Sequence, residues 1–232
     1  MSNYFVLCEA DKLNIEKQLE GFYNSITNRL LPSFLLIEKE ADQVEKESLN
    51  KRSKAFNPDT MDEASIIEDA YFDGINHYLV EKQMKQAFVN VATLWLYHLF
   101  EQQLNNISLK VIDCFDYTKS KPKTPIQRIK DCLKEKELDN NLHWKKINEE
   151  LRFVANTLKH ADGSSKKQLE QKRPDLFEQI GSKMNDIAIP LFENEICVSE
   201  LDFNDYYNAI VGFWTDYFHK IPVMERTTKC QG

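Results

Sequence analysis

The sequence has little glycine and proline and no long hydrophobic run. Six glycines and seven prolines among 232 residues are too few for the many turns of an all-β fold. The most apolar stretch, residues 87–100, is shorter than a membrane-spanning helix and contains Asn90, Thr93 and His98. The N-terminus has no basic leader, which is untypical of a secretory signal. We therefore expect no membrane segment and a cytoplasmic location.

Cysteine pairs and the familiar catalytic motifs are also missing from the sequence. The five cysteines are scattered and form no C-x-x-C pair, which argues against a disulfide framework or a zinc site. No P-loop, dinucleotide-binding, zinc-protease or serine-hydrolase motif occurs. We therefore expect an activity without metal or cofactor.

The charge balance sets a condition on any nucleic-acid ligand. The formal net charge is −7, with 42% hydrophobic and 29% charged residues, which is typical of a globular protein. An acidic chain does not attract nucleic acid by its overall charge, so binding requires a local basic patch. The abundance of Glu, Lys, Gln and Leu favours helices.

Apolar residues at spacings of three and four predict several helices. A first helix is expected to start near Asp11 and to end or kink at Pro32. The charged residues 45–62 are interpreted as a surface connection. A long helix from Glu63 to Leu104 follows, with a predicted core stripe of Ile67, Tyr71, Tyr78, Met84, Phe88, Val91, Trp95 and Leu99.

These patterns predict an all-α bundle in three parts. Residues 1–62 form an N-terminal helical extension, residues 63–223 the main helical domain, and residues 224–232 a flexible tail. A small β-hairpin is expected near residues 186–201, where two apolar runs flank a polar pair. The last helix is so aromatic that it must be buried against the body or against another subunit. Its predicted range is residues 203–219.

The stretch LRFVANTLKHADGS, residues 151–164, concentrates polar groups near the end of a predicted helix. At about 100° per residue, its apolar residues fall within roughly 60° of Leu151 and form one wall. The members of this wall are Trp144, Ile147, Leu151, Val154, Ala155 and Leu158. A polar face lies beside it, between roughly 80° and 180°. Its members are Arg152, Asn156, Lys159 and His160.

This stretch resembles the HEPN superfamily of small helical domains found in prokaryotic toxins and phage-defence proteins. The signature of that superfamily is an Arg followed, after four to six residues, by a His on a late helix. Here Arg152 and His160 are separated by seven residues, Phe153 follows the arginine, and N-x-x-K-H begins at Asn156. The likeness in helix order covers residues 63–220, and the specific motif lies within residues 151–163.

The resemblance implies a bundle of HEPN type and a metal-independent endoribonuclease that acts as a toxin or anti-phage effector. Two copies of the motif helix would meet in a homodimer, and an antitoxin or another defence protein would be a partner. Arg152, Asn156 and His160 would be catalytic, and Lys159 with Arg152 would bind RNA phosphate. The residue types suit this chemistry, since imidazole transfers protons near neutral pH and guanidinium holds phosphate through paired hydrogen bonds.

Two other functions remain open. The same face could hold RNA, a nucleotide or a partner protein without catalysis. Alternatively, the protein could be a helical scaffold whose aromatic last helix docks a partner, with the polar face merely solvated. The other histidines, at positions 77, 98, 143 and 219, show no ligand spacing and are interpreted as structural.

Overall fold

The regular secondary structure of the described part of the chain is helical. A computed structural model describes residues 9–111, 133–134, 137–160, 163–178 and 196–220. Of these residues, about 87% are in helices and none is in a strand. The predicted all-α class is therefore confirmed. Within the same ranges, no helix combines the length and the apolarity that crossing a bilayer requires.

Eight α-helices and three short helical turns make up the described fold. The N-terminal helices are α1 (Glu9–Ser25), α2 (Ile37–Lys54) and α3 (Glu63–Val111). A π-helical turn (Ile26–Leu30) and a 3₁₀ turn (Leu31–Phe34) separate α1 from α2. The later helices are α4 (Leu142–Lys146), α5 (Arg152–His160), α6 (Ser164–Lys172), α7 (Asp175–Glu178) and α8 (Glu200–Lys220). A second π-helical turn (Ile147–Leu151) joins α4 to α5.

The residues interpreted as a surface connection, 45–62, are mostly helical, so that interpretation was wrong as far as Lys54. Helix α2 packs antiparallel on α3, and charged side chains join the two. Arg52 donates hydrogen bonds to Asp69 at 2.8 Å and to Asp73 at 3.0 Å. Because charged side chains of this stretch pair with carboxylates of α3, the high density of charged residues belongs to a helix-helix contact and not to a loop. Gly74 allows the close approach, since a Cβ there would lie 3.1 Å from the Ala41 carbonyl oxygen.

A single core cluster contains buried residues from α1, α3, α5 and α8. From α1, Ile15 and Leu19 join it, so the N-terminal region packs on the same core as the rest of the described chain. Pro32 lies in the first turn of the 3₁₀ segment, where its missing N–H has no helical partner to lose. The aromatic residues of α8 are buried within this core, as the prediction of burial against the body requires. They are Phe203, Tyr206, Phe213, Trp214, Tyr217 and Phe218.

The start of α3 agrees with the prediction, but the helix continues to Val111 and does not end at Leu104, and its predicted core stripe was wrong at five of eight residues. Ile67, Tyr71, Met84, Val91 and Trp95 are between 38% and 53% exposed. The buried apolar residues of α3 lie mainly on an adjacent face of the helix. They are Ile66, Ala70, Leu79, Val89, Ala92, Leu96, Tyr97, Phe100, Leu104 and Ile107. Both faces of α3 carry apolar residues at helical spacing, so periodicity alone could not choose between them.

The described part of the expected hairpin, residues 196–199, contains no strand, and the remainder up to residue 195 lies outside the described ranges. Ile196 and Val198 are buried, and Asn90 of α3 satisfies their backbone. Its amide nitrogen donates to the Ile196 carbonyl at 2.8 Å, and its amide oxygen accepts from the Val198 N–H at 3.1 Å. At residues 196 and 198, the Asn90 side chain thus makes backbone hydrogen bonds of the kind that a neighbouring strand would make. The predicted tail, residues 224–232, also lies outside the described ranges.

Candidate functional site

Helix α5 presents its polar face between two packed sides. The predicted apolar wall lies in the core: five of its residues are buried and Leu158 is half-buried. A second side, which the sequence analysis missed, contains the buried Phe153 and Thr157. These residues lie at about 200° and 240° from Leu151, and α6 packs against α5. The polar face is therefore a strip between these two packed sides, with α3 and α6 as the neighbouring helices. We refer to this strip as the groove.

Arg152 is half-buried at the start of α5, with most of its hydrogen-bonding capacity unused. Its Nε donates to the carbonyl of Asn148 at 2.9 Å, and its guanidinium lies 4.8 Å from the centre of the Phe153 ring. Guanidinium has five N–H donors. Among the described residues, the other four have no hydrogen-bond partner, and no carboxylate lies within ion-pair distance. The Nε of Arg152 is thus hydrogen-bonded, whereas its two terminal nitrogens have no described hydrogen-bond partner.

Asn156, Lys159 and His160 extend the polar face toward the end of α5. The amide nitrogen of Asn156 donates to the Ser165 hydroxyl of α6 at 3.3 Å, which fixes the half-buried amide at one side of the groove. Lys159 and His160 are exposed, and neither has a hydrogen bond or an ion pair within the described ranges. Both therefore remain accessible to a ligand.

Arg152 and His160 do not converge within one chain. Eight positions along an α-helix correspond to a rise of about 12 Å. The Arg152 side chain reaches back one turn toward Asn148, whereas His160 is the last residue of the helix. Asn156 lies between the two, on the same face. One copy of the chain therefore offers an arginine and an imidazole at opposite ends of the groove.

The sequence analysis interpreted His98 of α3 as structural, and the structure pairs this residue with a carboxylate of the same helix. His98 Nδ1 lies 3.2 Å from Glu101 Oε2, and their side chains are 40% and 34% exposed. The hydroxyl of Tyr97 is close to the same carboxylate. Burial and the Glu101 charge raise the pKa of Tyr97, and the Arg152 guanidinium opposes that rise.

The region around the groove is basic although the chain is acidic. Residues 142–173 contain eight Lys and Arg against four Asp and Glu, within a chain of net charge −7. Some of these charges pair locally. Lys172 donates to Glu149 at 2.8 Å and lowers the pKa of that carboxyl, and Lys146 donates to Glu150 at 2.8 Å. The sequence of this region thus has the excess of basic residues that a local basic surface requires.

No set of side chains in the described ranges suits a metal ion, since no three His, Cys, Asp or Glu residues cluster there. The arrangement can bind an anion through Arg152 and Lys159 and can move a proton through an imidazole.

No protein-family model, no curated protein and no solved structure matches the chain.

Proposed function

We propose that the protein is a metal-independent endoribonuclease of HEPN type, which acts as a toxin or an anti-phage effector. Arg152 binds the scissile phosphate, His160 transfers a proton, Asn156 positions the reacting groups, and Lys159 binds a neighbouring phosphate. RNA carries its own nucleophile in the ribose 2′-hydroxyl, so this reaction proceeds without a metal.

The open terminal nitrogens of Arg152 are the observation that carries the proposal. A guanidinium binds a phosphate through two parallel N–H donors, and those donors must be unoccupied in the free protein. Arg152 meets this condition within the described ranges, and its Nε contact with Asn148 fixes the direction of the side chain. The basic composition of residues 142–173 supplies the longer-range attraction for RNA.

The separation of Arg152 from His160 favours a site shared by two copies of the chain. If two α5 helices pack antiparallel, the arginine end of one meets the histidine end of the other. The proposal therefore includes a homodimer through this face, and an antitoxin or another defence protein that covers the face when the enzyme is inactive.

Cleavage of generic single-stranded RNA in EDTA tests the proposal. Wild-type protein is expected to cleave, and His160→Ala is expected to lose roughly 10²–10⁴-fold in rate, the usual contribution of a proton-transfer group. His219→Asn, a change at an exposed histidine of α8, is the matched control and should retain the wild-type rate. Absence of cleavage by refolded wild-type protein, freed of bound partners, would reject the proposal.

A second candidate function is RNA binding without cleavage. The seven residues between Arg152 and His160 favour it, because one chain alone then holds phosphate at one end of the groove and offers no imidazole from α5 there. Salt-sensitive RNA binding that depends on Arg152, with no cleavage at any protein concentration, would select this function over the first.

A further inference from the structure

One side of α3 is covered by α2 along the first part of the helix. Arg52 of α2 donates a hydrogen bond to Asp73 at 3.0 Å, and a Cβ at Gly74 would lie 3.1 Å from a backbone oxygen of α2. At about 100° per residue, Ile66 and Ala70 point between the directions of these two α3 residues, and both are buried. This side of α3 is therefore the seam of a two-helix hairpin.

The same side of α3 remains apolar beyond the stretch that contacts α2. Eighteen residues make about five full helical turns, so residues 18 positions apart point in the same direction. This step leads from Ile66, Ala70, Asp73 and His77 to Met84, Phe88, Val91 and Trp95. We call the last four residues the open seam. Met84, Val91 and Trp95 are 40%, 38% and 50% exposed.

The turn that precedes α2 covers the open seam only in part. The ring of Phe34 lies 5.9 Å from the ring of Phe88, which is half-buried. Leu35, the next residue of the turn, is 74% exposed. Trp95 lies about 10 Å further along α3 than Phe88, and half of its surface is open. Adjoining exposed apolar side chains of this kind mark a contact site.

The chemistry of the open seam selects an apolar protein surface as its partner. Residues 86–97 contain no Asp, Glu, Lys or Arg. The seam itself therefore offers no charge that would hold a phosphate or another ion. Interface cores are depleted in charged residues and enriched in aromatic residues and methionine. Met84, Phe88 and Trp95 fit this pattern.

The open seam is complementary to its own copy. Two identical surfaces meet around a two-fold axis, so each residue before the axis faces one the same distance after it. If two α3 helices pack antiparallel about Val91, Trp95 faces Ala87 of the partner subunit, four positions from the axis in each case. Phe88 faces Leu94 of the partner subunit in the same way, three positions from the axis. The bulkiest side chain thus lies opposite the smallest, which allows the helices to interdigitate.

We infer that the open seam of α3 is an interface between two copies of the chain, packed antiparallel about Val91. The second copy covers the side of α3 that α2 leaves uncovered. Trp95 contributes most to the contact, because it offers the largest apolar surface and tryptophan is the commonest residue at binding hot spots. The contact uses no residue of α5, so it does not rest on the proposed ribonuclease function. If the contact through α5 forms as well, the protein associates beyond a dimer.

Sedimentation of the full chain over a range of concentrations tests the inference. Trp95→Lys should weaken self-association by roughly tenfold or more, as the loss of a hot-spot residue does. Tyr71→Lys is the matched control, because Tyr71 is an aromatic residue of the same helix with 52% exposure and points roughly 120° away from the open seam. It should associate like the wild type. Urea unfolding of both variants checks that the fold is retained.

Two further measurements locate the contact. Trp144 and Trp214 are only 6% and 2% exposed, so quenching of tryptophan fluorescence by acrylamide reports mainly on Trp95. Quenching should decrease as the protein concentration rises. A photo-reactive phenylalanine derivative in place of Met84, seven residues before Val91, should cross-link two chains near His98 of the partner subunit, seven residues after Val91.

Three results would overturn the inference. The wild-type protein could sediment as a monomer at every soluble concentration, or Trp95→Lys could associate as tightly as the wild type. A cross-link from position 84 to the same chain would show that another segment of the chain covers the open seam. None of these results bears on RNA cleavage in EDTA, so the proposed function is tested separately.

Discussion

Two arginines near α5, Arg173 and Arg152, have opposite surroundings. Arg173 donates hydrogen bonds to Glu150 at 2.6 Å, to Asp175 at 2.6 Å and to Asp202 at 2.7 Å. These contacts raise its pKa further above the ordinary arginine value. Arg152 has one described hydrogen bond, from Nε to a backbone carbonyl, and no described carboxylate within ion-pair distance.

The contrast separates an arginine that holds the fold from one that is available to a ligand. Arg173 joins the π-helical turn before α5 to α7 and α8, and its side chain is only 19% exposed. Glu150 and Asp202 are about equally buried, at 17% and 16% exposed. An anion would have to displace three carboxylates to reach Arg173. At Arg152 no described carboxylate would have to be displaced.

The largest expected difference is in catalysis. Arg152→Ala should lower RNA cleavage by roughly 10²–10³-fold, because it removes the donors that stabilise charge on the phosphate. The free energy of unfolding should change by only about 1 kcal/mol, since one described hydrogen bond and the contact with the Phe153 ring are lost. Steady-state cleavage and urea unfolding of the same preparation measure both effects. If Arg152→Ala lowered the stability as much as Arg173→Ala does, the proposed difference between a ligand-binding and a structural arginine would be contradicted.

Arg173→Ala should mainly affect stability. Removing one partner of a buried ion pair leaves uncompensated charge, which typically costs 3–5 kcal/mol. We expect about 3 kcal/mol here, because Glu150 and Asp202 keep some contact with water. Urea unfolding measures the loss. Lys46→Ala, at an exposed residue of α2, is the matched control and should change stability by less than about 0.5 kcal/mol.

The same network should make the fold sensitive to acid. The hydrogen bond from Arg173 lowers the pKa of Asp175. Burial raises the pKa of Asp202, but hydrogen bonds from Ser199 and Arg173 outweigh it, and the net direction is downward. A carboxyl whose pKa is lower in the folded state than in the unfolded state stabilises the protein at pH values above the unfolded pKa of about 4. This stabilisation is lost as the pH falls through the folded-state pKa.

Unfolding free energy should therefore decrease as the pH is lowered below about 4, and Arg173→Ala should flatten this decrease. Urea unfolding at a series of acidic pH values measures both slopes. An equally steep decrease in the variant would show that the carboxylates around Arg173 do not cause the acid sensitivity.

The smallest expected effect concerns Lys159. Its exposed ammonium should add one phosphate contact, so Lys159→Ala should weaken RNA binding several-fold and reduce the slope of log K against log salt by about 0.7 to 1. Fluorescence anisotropy at several salt concentrations checks this. An unchanged slope would place Lys159 outside the RNA contact.

The sequence predicted the parts of the fold that depend on local patterning. The long α3 and the apolar wall of α5 follow from residues spaced at three and four, and the structure buries that wall. The sequence could not identify the buried face of α3, because apolar residues occur on both sides and packing partners decide between them. It also could not show that the Asn90 side chain, more than 100 residues away, satisfies the backbone near Ile196.

The candidate site also has features that the sequence predicts and features that depend on packing between helices. The polar face of α5 could be read from helical geometry, since Arg152, Asn156 and His160 recur every four residues. The contact between Asn156 and Ser165 could not, because it depends on how α6 packs against α5.

The most direct test of the account is whether the affinity of the protein for RNA, measured without cleavage, depends on Arg152. Binding of a single-stranded RNA with 2′-O-methyl groups, which lacks the nucleophile, would be measured for wild-type protein, Arg152→Ala and Arg152→Lys. The account predicts that Arg152→Ala weakens binding by roughly tenfold or more, as loss of a charge-assisted contact requires, and that Arg152→Lys restores it only in part. Equal affinities for all three proteins would contradict it.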